Sequence, residues 1–118
     1  MEAKRLRHIE KRIREIKKQL QATGEMRPGS LTCQYQFPQQ KRGAYYQISY
    51  THKMKSRTDY VQPLFVDQLR KEIAAFKEFK KLVDEWVGLA IEYSKLSRKK
   101  RKYQIRKLGT LKLNMMVL

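Results

Sequence analysis

The apolar residues near the start of the chain recur at intervals of three and four. The run consists of Leu6, Ile9, Ile13, Ile16 and Leu20. On an α-helix this spacing places all five side chains on one narrow stripe, as in a coiled coil. The pattern predicts a helix from about Glu2 to Ala22, which Gly24 would end. Because a single stripe cannot be buried alone, the sequence requires a partner helix.

A second apolar pattern, after Pro63, supplies that partner. It contains two stripes at helical spacing, one of Leu69, Ile73, Phe76, Val83, Val87 and Ala90 and one of Phe79, Leu82, Trp86, Leu89, Tyr93 and Leu96. We expect a helix from about Leu64 to Ser97 that packs antiparallel on the first helix as a coiled-coil-like hairpin. The apolar face is wider than one helix covers, so its surplus is left for another subunit or a partner protein.

Between the helices the apolar period changes to two, which is typical of half-buried strands. Tyr46, Ile48 and Tyr50 alternate with other residues, and residues 57–61 are also β-prone. We predict a hairpin that turns between Thr51 and Ser56. A preceding strand, which Pro38 ends, is indicated by the alternation of Leu31, Cys33, Tyr35 and Phe37.

The predicted fold class is therefore α+β. It consists of two long antiparallel coiled-coil-like helices, with a small antiparallel β-sheet inserted between them in the sequence. A basic C-terminal arm follows the second helix. We assign residues 1–97 to a single domain and residues 98–118 to the arm, which has an apolar end.

Positive charge is distributed unevenly along the chain. There are 28 Lys and Arg against 11 Asp and Glu, a net charge of +17 over 118 residues. Residues 64–97 carry six bases and six acids, whereas no acid lies between Glu25 and Asp59 or after Glu92. An excess of this size predicts a polyanionic partner, and nucleic acid is the first candidate because phosphate contacts release condensed counterions.

The strongest local signal is the basic segment, residues 98–107. Its seven bases are Arg98, Lys99, Lys100, Arg101, Lys102, Arg106 and Lys107. Like charges this close repel unless a polyanion or solvent screens them, and such a concentrated run is typical of an arm that binds nucleic acid, so we predict that the segment binds nucleic-acid phosphates. Nuclear import in a eukaryotic source and contact with anionic lipid are alternatives. For the apolar end, residues 111–118, we expect docking on a partner or an added strand.

The predicted hairpin is the second candidate binding surface. Its bases are Lys41, Arg42, Lys53, Lys55 and Arg57, and its candidate stacking residues are Tyr45, Tyr50 and His52. Bases interleaved with aromatic residues suit single-stranded or looped RNA. The alternative is that the tyrosines are core residues, because alternate strand residues must face the helices. Contacts are expected mainly with phosphates, without sequence readout, and the pattern does not separate RNA from DNA.

Four short motifs occur in a fixed order between the helices. They are Pro28-Gly29-Ser30-Leu31, Gly43-Ala44-Tyr45-Tyr46-Gln47-Ile48-Ser49, Lys53-Met54-Lys55-Ser56-Arg57 and Tyr60-Val61-Gln62-Pro63. With the flanking helices they resemble a family of small prokaryotic proteins known only as a domain of unknown function, often encoded near transposases and other mobile elements. The likeness covers most of residues 1–97. It implies a mobile-element or RNA-guided context more than a mechanism, because the family has no established activity. Within that context we expect an accessory factor that binds nucleic acid for the mobile element or for its RNA- or DNA-processing enzyme.

The resemblance does not extend to a metal site. Many members of that family carry a cysteine cluster before the tyrosine strand, whereas this chain has only Cys33 there. We therefore expect no metal ion and no cofactor. A weaker likeness, in architecture alone, is to the arm-binding domains of phage-type integrases, in which a basic sheet followed by a helix enters the DNA major groove.

Catalytic motifs are absent from the sequence. His8 and His52 have no carboxylate or cysteine at a motif spacing, and there is no glycine-rich phosphate loop, so we expect a protein that is not an enzyme. No run of about 18 apolar residues predicts a membrane span, and the N-terminal residues lack the apolar core of a signal peptide. We expect a cytoplasmic protein associated with the nucleoid or a ribonucleoprotein. The rival function is an interaction subunit that docks on a larger transposase or nuclease, or on a second copy, through helix 64–97.

Overall fold

The chain forms two helices and one three-stranded sheet. The computed structural model describes residues 2–117, with the side chains of residues 2–109. In chain order the elements are helix α1 (Glu2–Gln21), strands β1 (Ser30–Phe37), β2 (Arg42–His52) and β3 (Lys55–Val61), and helix α2 (Val66–Val117). Short 3₁₀ turns at Pro38–Gln40 and Pro63–Phe65 precede β2 and α2. The predicted α+β class, with a small sheet between two helices in sequence, is confirmed.

The backbone divides into two compact units. The helical unit comprises Met1–Gln19 with Leu82–Leu118, and the sheet unit comprises Leu20–Lys81. Helix α2 contributes residues to both units, its beginning to the sheet unit and the remainder to the helical unit. Each unit buries a different part of α2, Val66 and Ile73 in the sheet unit and Leu82 in the helical unit.

In the helical unit, α1 packs antiparallel on α2. Leu6, Ile9 and Ile16 are buried from the α1 stripe, and Leu82 is buried from α2. Arg5 pairs with Glu92 and Arg12 pairs with Glu85, so residue numbers rise along α1 as they fall along α2. The predicted helical hairpin and its antiparallel direction are confirmed.

In the sheet unit, the strands lie in the order β1-β2-β3 and all pairs are antiparallel. The core cluster consists of Ile48 from β2, Val61 from β3, and Val66 and Ile73 from α2. Leu31, Tyr46 and Leu69 pack against that cluster while partly exposed. The start of α2 therefore covers the sheet face predicted to be apolar.

Gly29, in the Pro-Gly-Ser turn before β1, has a left-handed backbone with φ +152°. A side chain there would bring its Cβ within 2.7 Å of Ile48 Cδ1. Glycine is required for both reasons, since other residues disfavour this backbone region and the core residue Ile48 leaves no room. The turn thereby lets the chain enter β1 directly beside the core.

Helix α2 extends further than the sequence analysis predicted. The predicted end at Ser97 is wrong, because the basic segment consists of good helix formers and Gly109 costs only about 1 kcal/mol relative to alanine. Residues 111–117 continue the helix and do not form a strand, although their side chains, like Leu118, lie outside the described residues. Over the part of the chain that is described, neither helix has the length and apolarity needed to cross a membrane.

Candidate nucleic-acid interface

The β2–β3 hairpin closes through a two-residue turn, Lys53 and Met54. Both residues have left-handed backbones, with φ 51° and 65°. Two consecutive positive φ angles define the type I′ geometry that matches the twist of a hairpin, although neither residue is the glycine or asparagine that favours it. The turn is tighter than predicted, so Lys55 lies in β3, and Met54 is 98% exposed at its tip.

One face of this hairpin end is basic. The register pairs Tyr50 with Arg57 and His52 with Lys55, which places these four side chains on the same face. Together with Lys53 they line a shallow cleft of about 340 Å³, the hairpin cleft. No carboxylate belongs to its lining among the described residues. The structure thus brings together five of the eight residues that the sequence assigned to the hairpin surface.

The opposite face of the same hairpin carries hydroxyl groups. The Ser49 and Thr58 hydroxyls lie 3.1 Å apart and hydrogen-bond across the strands, and the Thr51 and Ser56 hydroxyls do so at 2.9 Å. One hydroxyl of each pair donates to the other, which keeps its own hydrogen free, and none of the four side chains is charged. This face therefore offers hydroxyl donors but no charge to a polyanion. The strand alternation therefore confines the charge of the hairpin to the cleft side.

Arg27 adds a base that the sequence analysis did not assign to the site. Its guanidinium carbon lies 4.8 Å from the centroid of the Tyr50 ring, within the range of a cation–π contact. The Arg27 backbone N–H donates to the carbonyl of Glu72 at 3.2 Å, and Arg27 Nε donates to the carbonyl of Pro28. These bonds hold Arg27 over one face of Tyr50, which is half-buried. The only sequence signal was its place in the acid-free stretch.

Lys41, Arg42 and Tyr45 lie apart from the hairpin cleft. Arg42 is the first residue of β2, ten residues from His52, which corresponds to about 33 Å of extended strand, and Lys41 precedes it; both are exposed. Tyr45 is paired with Gln34 on the other sheet face from Tyr50. The structure therefore does not gather these three residues into one surface with the cleft.

The basic segment forms part of α2. Every side chain from Arg98 to Gly109 is exposed, and the five consecutive bases of residues 98–102 surround the helix because each residue turns it by about 100°. Arg98, Lys99 and Lys102 also line a shallow cleft of about 550 Å³ with Lys95 and Leu96. Lys99 Nζ lies 3.8 Å from Glu2, beside the start of α1. The segment presents its charge in several directions.

Acidic side chains of the helical unit take part in pairs between α1 and α2. Arg5 makes two hydrogen bonds to Glu92, at 2.7 and 2.8 Å, which lower the pKa of Glu92 below its ordinary value. Arg12 binds Glu85 in the same two-pronged way. The Tyr93 hydroxyl donates to Glu10 at 2.8 Å, and this bond raises the pKa of Tyr93. Carboxylates used in these pairs are not available to neutralise bases on the outer surface.

The side chains that could bind a metal ion are few and scattered in this structure. Cys33 is a free, exposed thiol on β1. Over the described residues, no group of three or more His, Cys, Asp or Glu side chains lies close enough to hold a metal ion.

The fold and its surfaces define a small α+β protein that presents basic side chains from a β-hairpin and from a helix. The chain belongs to the family described as a domain of unknown function, DUF6788, which matches residues 6–71. The matched residues include the apolar stripe of α1, the whole sheet with the hairpin cleft, and the beginning of α2. The basic segment lies beyond them. No curated protein and no solved structure matches the chain.

Proposed function

We propose that this protein binds nucleic acid through phosphate contacts. The observation that carries the proposal is the basic segment: seven bases within ten residues, all exposed on a helix and without an acid after Glu92. Clustered bases without acids are the usual electrostatic footprint of a nucleic-acid-binding surface. Net charge alone would not distinguish this from general solubility, but its concentration on one segment does favour a specific polyanion.

The hairpin cleft supports the same proposal from the sheet unit. Lys53, Lys55 and Arg57 supply cations, while Tyr50 and His52 supply rings beside them. Such a combination suits a nucleotide, whose phosphate and base need different partners. We therefore include the cleft as a second contact surface.

The biological context belongs to the same proposal. The motif resemblance suggests an accessory factor that serves a mobile element or its RNA- or DNA-processing enzyme, within the cytoplasm near the nucleoid or a ribonucleoprotein. The protein would then act without catalysis or a cofactor of its own, by holding RNA or DNA for that enzyme.

Fluorescence anisotropy with labelled single-stranded RNA, single-stranded DNA and duplex DNA tests the proposal. The informative variant is Lys100→Gln/Lys102→Gln/Lys107→Gln, in the basic segment. Its control, Lys71→Gln/Lys77→Gln/Lys81→Gln, removes the same charge from exposed positions in the balanced part of α2. If three phosphate contacts are lost, the slope of log affinity against log salt becomes shallower by about 2.7 on duplex DNA.

Two results would contradict this function. One is the absence of binding to all three probes at low salt. The other is an equal loss of affinity in the control variant, since that would assign binding to net charge and not to the basic segment.

A second candidate function is docking on a larger protein, such as a transposase or nuclease. Val87 and Ile91, in the wide apolar face of α2, are 52% and 53% exposed and line a shallow cleft of about 330 Å³ with Ala90, Ser94, Lys95 and Arg98. Val87→Ser/Ile91→Ser should abolish such docking. Copurification of the partner enzyme in high salt with the unaltered chain, but not with this variant, would favour docking over nucleic-acid binding.

A further inference from the structure

The outer side of α1 carries a row of bases that neither binding surface described above includes. The row consists of Lys4, Arg7, Lys11, Arg14 and Lys18, all of them exposed. Their spacing of three and four places them within one narrow arc, opposite the buried stripe that contains Ile9 and Ile16. At 1.5 Å per residue the row is about 21 Å long. We call it the α1 ridge.

The other three bases of α1 contact residues of α2 and are not part of this ridge. Arg5 and Arg12 pair with acids of α2, and Lys17 lies 5.4 Å from the centroid of the Trp86 ring. Of the eight bases in α1, three thus contact α2 and five form the ridge.

The three acids of α1 also have partners. Glu2 pairs with Lys99, Glu10 accepts the hydroxyl of Tyr93, and Glu15 pairs with Arg12 at 3.4 Å. No described carboxylate makes an ion pair with any ridge residue. The whole net charge of α1, eight bases against three acids, therefore lies on the ridge.

Such a row is unfavourable for the helix alone. Like charges three and four residues apart destabilise an isolated helix. An exposed helix that needed only solubility would balance its bases with acids, as α2 does between Val66 and Ser97. A bound polyanion removes the repulsion.

We propose that the α1 ridge binds the phosphate backbone of a nucleic-acid duplex. This inference rests on the proposed function, and it adds a surface and a substrate class. The ridge lies along one helix that is paired with α2, and a duplex presents a stiff, regular row of phosphates to such a row. The Lys99–Glu2 contact places the start of the ridge beside the basic segment, within the same unit.

Other anionic partners fit the ridge less well. Single-stranded nucleic acid is usually held by aromatic stacking as well as charge, and α1 contains no Phe, Tyr or Trp. Helices that bind membranes insert their apolar face into the lipid, whereas Leu6, Ile9 and Ile16 are buried inside the protein. The ridge has cations alone, which suits a backbone that needs no base contacts.

The test compares Lys4→Gln/Lys11→Gln/Lys18→Gln with the control Lys71→Gln/Lys77→Gln/Lys81→Gln. Both variants replace three exposed helical lysines, so they have the same net charge. Binding to a DNA duplex and to one of its strands is measured by anisotropy over a salt series. For the ridge variant the duplex salt slope should decrease by about 2.7, so that raising salt fourfold weakens the unaltered protein about 40-fold more than the variant.

A substitution that keeps the charge, Lys4→Arg/Lys11→Arg/Lys18→Arg, should retain duplex binding. Circular dichroism of all variants checks that the helices are intact. If the ridge variant binds the duplex as the control does, while the basic-segment variant is impaired, the ridge inference is overturned and the proposed function stands. An equal loss on single strand and duplex would overturn the duplex assignment. If the unaltered protein binds no nucleic acid, both fail.

Discussion

The helical unit and the sheet unit both expose clusters of bases, but they arrange them by different geometry. In the helical unit, the helical periodicity of α1 places its apolar residues against α2 and an uninterrupted row of bases on the opposite side. In the sheet unit, alternation along β2 and β3 gathers bases at one end and on one face. One surface is a line about 21 Å long, and the other is a cleft of about 340 Å³.

This difference shows how the side-chain periodicity of a helix or a strand determines the shape of a charged surface. A helix spreads residues three and four apart into a row, whereas a hairpin brings residues from two strands side by side. The row suits a repeating polymer, and the cleft suits a single nucleotide. We expect the two units to differ also in the contacts that stabilise them.

The largest effect is expected from the cores. Ile16→Ala in the helical unit and Ile48→Ala in the sheet unit each remove a fully buried side chain, so each should lower the free energy of unfolding by about 2–5 kcal/mol. Urea denaturation gives the size of the loss, and hydrogen exchange shows which unit loses protection. Val87→Ala, at an exposed position, is the control. A loss of protection in the same amides for both variants would remove the distinction between the units.

A smaller effect is expected at Gly29. Alanine there meets both a left-handed backbone and Ile48, so Gly29→Ala should destabilise the sheet unit by about 1–3 kcal/mol. Gly24→Ala is the matched control, because no atom lies within 4 Å of the added Cβ. Thermal melting compares the two. Equal midpoints would show that the turn before β1 is not constrained by the core.

The hairpin turn should respond in the opposite direction. Met54→Gly replaces an exposed side chain at a left-handed position and should stabilise the protein by about 1 kcal/mol. Lys53 is kept, so contacts of the hairpin cleft with nucleic acid should be unchanged. An unaltered midpoint on urea denaturation would show that the turn carries no backbone strain.

The smallest effect concerns acid. The hydrogen bonds from Arg5 hold the pKa of Glu92 below its ordinary value of about 4.5, so this pair stabilises the folded state above that pH. The contribution is lost as pH falls through the lowered pKa. Glu92→Gln should therefore flatten the acid side of the stability profile, measured by thermal melting at a series of pH values. Glu78→Gln, another α2 carboxylate, serves as the control and should leave the profile steep.

The sequence predicted most of the fold because its periods are distinct. The stripe from Leu6 to Leu20 gave α1 to within one residue at its end, and the alternation around Ile48 gave β2 with its two neighbours. The end of α2 is missed because the charge of the basic segment indicates a separate arm, although the segment contains no helix breaker. Repulsion among bases is worth tenths of a kcal/mol per pair, which does not decide secondary structure.

The site was predicted less completely than the fold. Residues near one another in β2 and β3, such as His52 and Lys55, were grouped correctly because hairpin pairing is local. Arg42 and Tyr45 are grouped with them by their proximity in sequence, although β2 places Arg42 at its far end and Tyr45 on its other face. Arg27 joins Tyr50 only through the packing of a loop, for which no periodic signal exists.

By itself, the sequence determined the apolar stripe by which α1 contacts α2 and the alternation of residues along the strands. It also determined the separation of acid-free stretches from a helix with equal numbers of acids and bases, since all of these depend on spacing along the chain. Tertiary structure decided which charges remain outside. Arg5 and Arg12 are neutralised by Glu92 and Glu85, residues more than 70 positions away, while Lys4 and its neighbours in the ridge form no ion pair with any described carboxylate. Charge pairing depends on distance in space, and only the packing of α1 on α2 sets that distance.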